Sequence, residues 1–178
     1  MNIIKTKLND CVIIEPKVYG DERGFFLETF HSKRYKELAD IDLNFVQDNH
    51  SRSSKHVLRG LHFQKNKPQG KLVRAVRGEV FDVAVDIRKE SSTFGKWEGV
   101  LLSENNKKQL WVPPGFAHGF LVLSDIVDFE YKCTDYYDPS DEGSIQWDDP
   151  DLDITWPWNN PILSPKDAKA CKLIDLIK

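Results

Sequence analysis

The stretch Val80-Phe81-Asp82-Val83-Ala84-Val85-Asp86-Ile87-Arg88 decides the fold class. Phe81, Val83, Val85 and Ile87 alternate with Val80, Asp82, Ala84, Asp86 and Arg88, and a period of two belongs to a β-strand. Just upstream, Leu72 to Val76 followed by Arg77-Gly78-Glu79 reads as the other arm of a hairpin with a Gly turn. Downstream, Val127, Phe129 and Tyr131 alternate with Asp128, Glu130 and Lys132 in a second clear strand. Val100-Leu101-Leu102, Leu110-Trp111-Val112 and Phe120-Leu121-Val122-Leu123 are shorter apolar runs between Gly and Pro punctuation. Helix is scarce. One short helix is expected over 32–39 with Ser32 as its N-cap. Ser164-Pro165-Lys166-Asp167 has the form of another helix start, with Asp167 where a capping-box acid would sit. Many short strands with few helices describe an all-β sandwich or barrel.

The chain has 178 residues, enough for one domain over 1–178 with a real core. No repeat, linker or low-complexity tract divides it. Its 25 Lys+Arg against 28 Asp+Glu give a net charge of −3. A nucleic-acid binder normally carries a basic excess, so no nucleic-acid partner is expected. A small anionic ligand stays compatible, because local Arg and Lys can serve it. Cys11, Cys133 and Cys171 are odd in number and scattered, with no CxxC pair, which suits reduced thiols in the cytoplasm. Residues 1–8 lack the apolar core of a signal peptide, and no apolar run reaches transmembrane length. No membrane association is expected.

Three stretches are polar where strands should be apolar. They are Gln47-Asp48-Asn49-His50-Ser51 leading to residues 58–64, Gln69-Gly70-Lys71-Leu72-Val73-Arg74, and Val112-Pro113-Pro114-Gly115-Phe116-Ala117-His118-Gly119-Phe120. The last has the form P-x-G-x-x-H and resembles the second motif of the cupin barrels, where a turn swings a His into the barrel. Metal-binding cupins supply H-x-H and a nearby Glu in their first motif. Here Gln64 stands two places after His62, and no Glu follows soon after. Transition-metal sites want three or more ligands, so no metal is expected.

A metal-free barrel leaves its histidines for proton transfer, because neutral imidazole is the natural base near pH 7. Tyr131 shares a strand face with Val127 and Phe129 and is expected to point inward, where a phenol can act as an acid. Lys71 offers a fixed positive charge for a developing oxyanion. Base, acid and cation together suit proton abstraction beside a carbonyl and reprotonation from the other face.

The whole pattern resembles the dTDP-4-dehydrorhamnose 3,5-epimerase family. The resemblance rests on residues 47–51, 57–64, 69–74, 82–88 and 131–137, with Asp21-Glu22-Arg23-Gly24-Phe25-Phe26 and Trp147-Asp148-Asp149-Pro150 in support, all in the family's order. It implies a cupin-type jelly-roll barrel without metal or organic cofactor, a dTDP-4-keto sugar as substrate, and a homodimer that exchanges N-terminal strands. His62 would be the base, Asp167 the carboxylate orienting it, Lys71 the enolate's partner and Tyr131 the opposing acid. Arg23, Glu28, Gln47, Asn49, Arg59, His118, Glu142 and Lys166 would contact substrate, with Tyr137 stacked on thymine. The implied reaction is epimerisation at C3 and C5 of dTDP-4-dehydro-6-deoxy-D-glucose, giving dTDP-4-dehydro-L-rhamnose. The alternative is a single-centre epimerase or a ketoisomerase on a related dTDP-4-keto sugar.

Taken singly, these residues have plainer explanations. His62 also reads as a hydrogen-bonded core histidine, His118 as a residue satisfying backbone groups, Tyr131 as core, and Asp167 as a helix cap. His31, His50 and His56 read as surface or structural. Arg59 and His62, three apart, face opposite sides of a regular strand. Both can meet one ligand only if the strand is irregular, and Gly60 is the place for it.

Overall fold

In a computed structural model, residues 1–176 are described. The strands are β1 (Asn2–Lys5), β2 (Val12–Glu15), β3 (Val18–Asp21), β4 (Gly24–Leu27), β5 (Gln47–Ser54), β6 (Leu58–Gln64), β7 (Lys71–Arg77), β8 (Glu79–Asp86), β9 (Trp97–Ser103), β10 (Gln109–Val112), β11 (Phe116–Val122), β12 (Ile126–Cys133) and β13 (Glu142–Ser144). One α-helix, α1 (Ser32–Ala39), and two 3₁₀ turns, Asp167–Lys169 and Leu173–Leu176, complete the set among the described residues.

Two antiparallel sheets face each other. One runs β1-β2-β10-β7-β12-β5 and the other β13-β6-β11-β8-β9. The core between them takes Val73, Leu110, Val127 and Phe129 from the first and Val80, Val100, Phe120 and Val122 from the second. This is the cupin-type barrel that the alternation and the Pro-Gly corner suggest. The apolar row Val83 and Val85 lies on the outer face of the second sheet, under Leu152 and Leu173 from the C-terminal segment. Its polar partners Asp82 and Asp86 are buried too. Tyr35, Ala39 and Ile41 cover Leu72 and Trp111 on the outer face of the first sheet. Each sheet thus carries a second apolar layer on part of its outer face, while the outward residues of β5 and most of α1 meet water.

The expected hairpin of 72–76 with 80–88 does not form. β7 pairs with β10 and β12, whereas β8 pairs with β9 and β11. Gly78 carries the chain from one sheet to the other at φ 73°, so close to the Ile126 carbonyl that a side chain has no room. A tight hairpin and a sheet-to-sheet corner both ask for Gly, which is why the sequence points to the wrong one. The helix over 32–39 is present, but its cap is His31, not Ser32. His31 is extended (φ −152°, ψ 108°) and its Nδ1 accepts from the Arg34 N–H at 3.4 Å, whereas Ser32 is already helical. At the second expected helix start the chain makes only a 3₁₀ turn. Ser164 Oγ accepts from the Asp167 N–H at 3.1 Å, but the Asp167 carboxylate turns elsewhere.

Candidate active site

The site is built from the two facing walls. On the second sheet, His62 of β6 lies directly opposite His118 of β11 in register. Three steps along β6, from His62 to Arg59, match only two along β11, from His118 to Phe120. The extra residue is a bulge, and Gly60 sits in it at φ 124° against Gly119. The irregularity turns Arg59 and His62 toward one cavity of about 370 Å³. On the first sheet, Tyr131 of β12 pairs with Val73 and Asn49, and Lys71 of β7 pairs with Cys133. Tyr131, Lys71, Gln47 and Asn49 border the cavity from that wall, and Tyr137 and Glu142 border it from the strands and loop after β12. His62 and Tyr131 thus stand on opposite walls.

His62 Nε2 lies 2.6 Å from Asp167 Oδ1. An ionised carboxylate only accepts, so Nε2 carries the proton and Nδ1 keeps a lone pair for a base's work. Burial pushes the Asp167 carboxyl up, but the His62 contact, Ser164 and the Gly60 backbone outweigh it and leave it below its ordinary value. Asp167 therefore stays ionised at neutral pH. Its contact is with His62 and not with a helix end, which separates it from a simple cap.

His118 is buried, with Nε2 3.0 Å from both oxygens of Asp82. It does not serve backbone groups. Asp82, fully buried, is a partner that inspection of the sequence passed over. The signal was there: a carboxylate in mid-strand, in the row with Val80 and Ala84, both buried in the barrel core.

Burial lowers the Lys71 ammonium from its ordinary value, and the negative potential of Cys133, Glu142 and Asp82 only partly restores it. A cation bordering the cavity acts on any oxyanion brought into it. Burial raises the Tyr131 phenol, so it stays protonated and able to donate. Tyr137 Oη donates to Glu142 Oε2 at 2.6 Å, which pushes the phenol up to about 12. Glu142 is also ion-paired with Lys166, which borders the crevice beside Arg59, His62 and Asp167. Tyr136, by contrast, is 66% exposed.

Two expected substrate contacts lie elsewhere in this chain. Arg23 is at the tip of the β3–β4 hairpin, paired with Asp21. Glu28 is paired with Arg34 at 2.9 Å. Neither borders the cavity that holds His62. Gln64 is fully used: its Nε2 donates to the Lys67 carbonyl at 2.8 Å, and its Oε1 accepts from the Asp138 N–H at 2.7 Å. It pins the loops after β6 and before β13. Among the described residues no three His, Cys, Asp or Glu groups converge as metal ligands.

The family model described as dTDP-4-dehydrorhamnose 3,5-epimerase matches residues 5–175. The chain belongs to the dTDP-4-dehydrorhamnose 3,5-epimerase family. It is 60% identical to the enzyme of that name from Salmonella typhimurium over 172 residues, covering 96% of this chain and 94% of the relative. The crystal structure of the 3,5-epimerase RmlC from Legionella pneumophila, in complex with dTDP-4-keto-L-rhamnose, superposes with a TM-score of 0.95 at 61% identity, covering 99% of this chain and 94% of that one. A more distant member of the fold is ChmJ, a 3'-monoepimerase from Streptomyces bikiniensis in complex with dTDP-quinovose, with a TM-score of 0.88 at 32% identity, covering 95% and 86%. The epimerase family is a family of isomerases, and both of these solved relatives hold a dTDP-linked sugar.

Proposed function

We propose that this epimerase converts dTDP-4-dehydro-6-deoxy-D-glucose to dTDP-4-dehydro-L-rhamnose by inverting C3 and C5, in the route to dTDP-L-rhamnose. The observation that carries the reading is the pair of opposed walls, with His62 and its carboxylate on one side of the cavity and Tyr131 on the other. Inversion needs removal of a proton from one face of the sugar and return to the opposite face. The 4-keto group acidifies the protons at C3 and C5 alike, because both carbanions delocalise onto the same oxygen. One base therefore serves both centres once the ring is repositioned.

In this mechanism Nδ1 of His62 takes the proton. Asp167 holds the tautomer and steadies the imidazolium that forms. Lys71 stabilises the enolate oxygen, and Tyr131 returns a proton from the far wall. Arg59 and Lys166 answer the diphosphate with charge-assisted hydrogen bonds. Gln47, Asn49, His118 and Glu142 contact the substrate, and Tyr137 stacks on thymine. No metal or organic cofactor enters the scheme, and the bonds made by Gln64 favour a structural part for it over ligation.

The working form is a homodimer of one-domain chains over 1–178. Among the described residues the β3–β4 hairpin pairs only with itself, and it exposes Val18, Tyr19, Phe25 and Phe26, which suits burial against a second copy. Arg23 and Glu28 would then reach the partner's cavity. The free thiols Cys11, Cys133 and Cys171 suit the cytoplasm, and no described helix is long and apolar enough to cross a membrane.

The likeness to a 3'-monoepimerase supports a second reading, inversion at one centre only. Proton NMR of the 4-keto-6-deoxy sugar nucleotide in deuterated water separates the two. Deuterium at C3 and C5 with the L-sugar as product is expected. Exchange at one carbon alone establishes the second reading, and no exchange at either removes both.

A further inference from the structure

The geometry points to Ser51 as the residue that binds the C2 hydroxyl of the sugar. The inference rests on the proposed 4-keto sugar substrate and names a contact that this reading leaves open.

Gln47, Asn49, Ser51 and Ser53 alternate along β5 with the exposed Asp48, His50, Arg52 and Ser54. Three of the four inner side chains are engaged. Gln47 Oε1 accepts from the Tyr137 N–H at 2.9 Å, and its Nε2 donates to Asn49 Oδ1 at 3.0 Å. The Asn49 amide reaches Cys133 Sγ at 3.5 Å. Ser53 Oγ accepts from Arg59 Nε at 2.9 Å. Ser51 Oγ alone has no partner, and among the described residues it is the single buried side-chain N or O in that condition.

A buried hydroxyl without a partner costs stability. The protein draws no hydrogen bond from it, and Ser51 pairs in register with Phe129 of the barrel core, where Ala would pack at no such cost. Ser51 borders the cavity together with His62, Lys71, His118 and Tyr131. Its oxygen is screened from solvent and meets no donor or acceptor of the protein. A hydroxyl offers one donor and two acceptor sites, which matches another hydroxyl.

The sugar nucleotide carries ring hydroxyls at C2 and C3. The C3 hydroxyl changes face during the reaction, so a partner fixed on a strand fits it only before or after inversion. The C2 hydroxyl keeps its configuration throughout. A Ser on the central part of β5 therefore suits C2, and it gives the ring a constant pivot about which C3 and C5 are presented to the base in turn. A site built to pair with a hydroxyl discriminates against the analogue lacking it, because its own polar group is then left unpaired.

The test is a cycle of Ser51→Ala against the 2-deoxy substrate analogue. On the natural substrate Ser51→Ala should lose about 10- to 100-fold in kcat/KM. Wild type should lose a similar factor on the 2-deoxy analogue, and the variant should lose nothing further on it. Thermal unfolding guards against a structural explanation: the variant should melt at or above the wild-type Tm, whereas a structural hydroxyl would lower it. Calorimetry with unreactive dTDP-glucose and with dTDP alone adds a readout independent of turnover. Ser51→Ala should weaken dTDP-glucose and leave dTDP unchanged. Wild-type kcat/KM in the variant, losses that multiply, or equal weakening of both nucleotides would each overturn the assignment. Wild type that binds dTDP-glucose through Ser51 yet turns nothing over would instead count against the proposed reaction alone.

Discussion

His62 Nε2 and Asp167 Oδ1 meet at 2.6 Å across 105 residues of sequence, one on a barrel strand and the other on a 3₁₀ turn of the C-terminal segment. The segment is held there by a bridge between Val57 and Ile162, with Leu58 N–H donating to the Ile162 carbonyl at 3.0 Å. The dyad therefore depends on how the C-terminal strap docks, and its two members can be tested separately. His62→Ala should abolish both epimerisation and deuterium uptake, because no carbanion forms. Asp167→Asn keeps the shape but loses the charge that steadies the imidazolium, and should lower both by about 10²–10⁴-fold. Wild-type exchange at C3 and C5 in His62→Ala would return that histidine to a structural part.

Tyr131→Phe should act differently in kind. The ring still packs beside Phe129, at 6.3 Å between centroids, so circular dichroism and Tm should be little changed. His62 can still abstract. Deuterium uptake with retained configuration should outlast inversion, which NMR reads as label in unchanged substrate. Equal loss of uptake and inversion would remove Tyr131 from the reprotonation step.

The strands at 79–86, 97–103, 109–112, 116–122 and 126–133 were legible because each alternates or carries an apolar run between turn residues, whereas the polar β5 and the short strands β1 to β4 and β13 carry no such pattern. The bulge at Gly60 was legible as a demand, since Arg59 and His62 share a cavity only if β6 is irregular. Which strands pair was not legible at Gly78, because local chemistry does not distinguish a hairpin from a corner between sheets. Asp167 was read from its neighbours as a cap and from the family resemblance as an orienting acid, and only the docking of residues 162–167 brings it to His62. Asp82 and Ser51 were missed for a common reason. Each is one polar group in a strand with no local partner, and its meaning depends on what faces it across the barrel.

Tyr137 stands at the cavity rim with its hydroxyl on Glu142 and its backbone N–H on Gln47. Tyr137→Ala should weaken dTDP binding by about 1–3 kcal/mol, as expected for loss of one aromatic stack, with a smaller effect on kcat. Tyr137→Phe keeps the platform and frees Glu142 from one partner, so it should retain most of the affinity. Calorimetric affinity for dTDP that is unchanged in Tyr137→Ala would take Tyr137 out of the nucleotide site.

Away from the cavity, Asp86 sets a pH dependence of stability. Burial pushes its carboxyl up, but hydrogen bonds from Arg88, Ser91 and Thr93 outweigh this and hold it at about 2. Arg88 extends the cluster to Asp10 at 2.8 Å, tying the loop before β2 to the one after β8. The unfolded carboxyl titrates near about 3.9, so the unfolded state binds more protons in between. The contribution is fully present above about pH 4 and falls as pH drops through the folded value near 2. Asp86→Asn should lower Tm at neutral pH, and its deficit should shrink as pH falls below about 4. A deficit independent of pH would mean that packing, not charge, explains it.

The placement of Arg23 and Glu28 outside their own chain's cavity makes the dimer testable by complementation. Arg23→Ala removes a proposed substrate contact, and His62→Ala removes the base. If Arg23 acts on its own chain's site, co-expressing the two variants yields only the residual activity of Arg23→Ala. If Arg23 crosses to the partner, a mixed dimer has one dead site and one whole site. The whole site combines His62 of the Arg23→Ala chain with Arg23 of the His62→Ala chain. Random pairing makes half of all dimers mixed, each with one working site of two, so roughly one quarter of wild-type activity should return. Differently tagged chains purified in tandem isolate the mixed dimer and should raise recovery to roughly one half. The Arg23→Ala homodimer provides the baseline, since loss of one charged contact leaves some activity. Recovery at that baseline in the purified mixed dimer would show that Arg23 does not serve the partner's site.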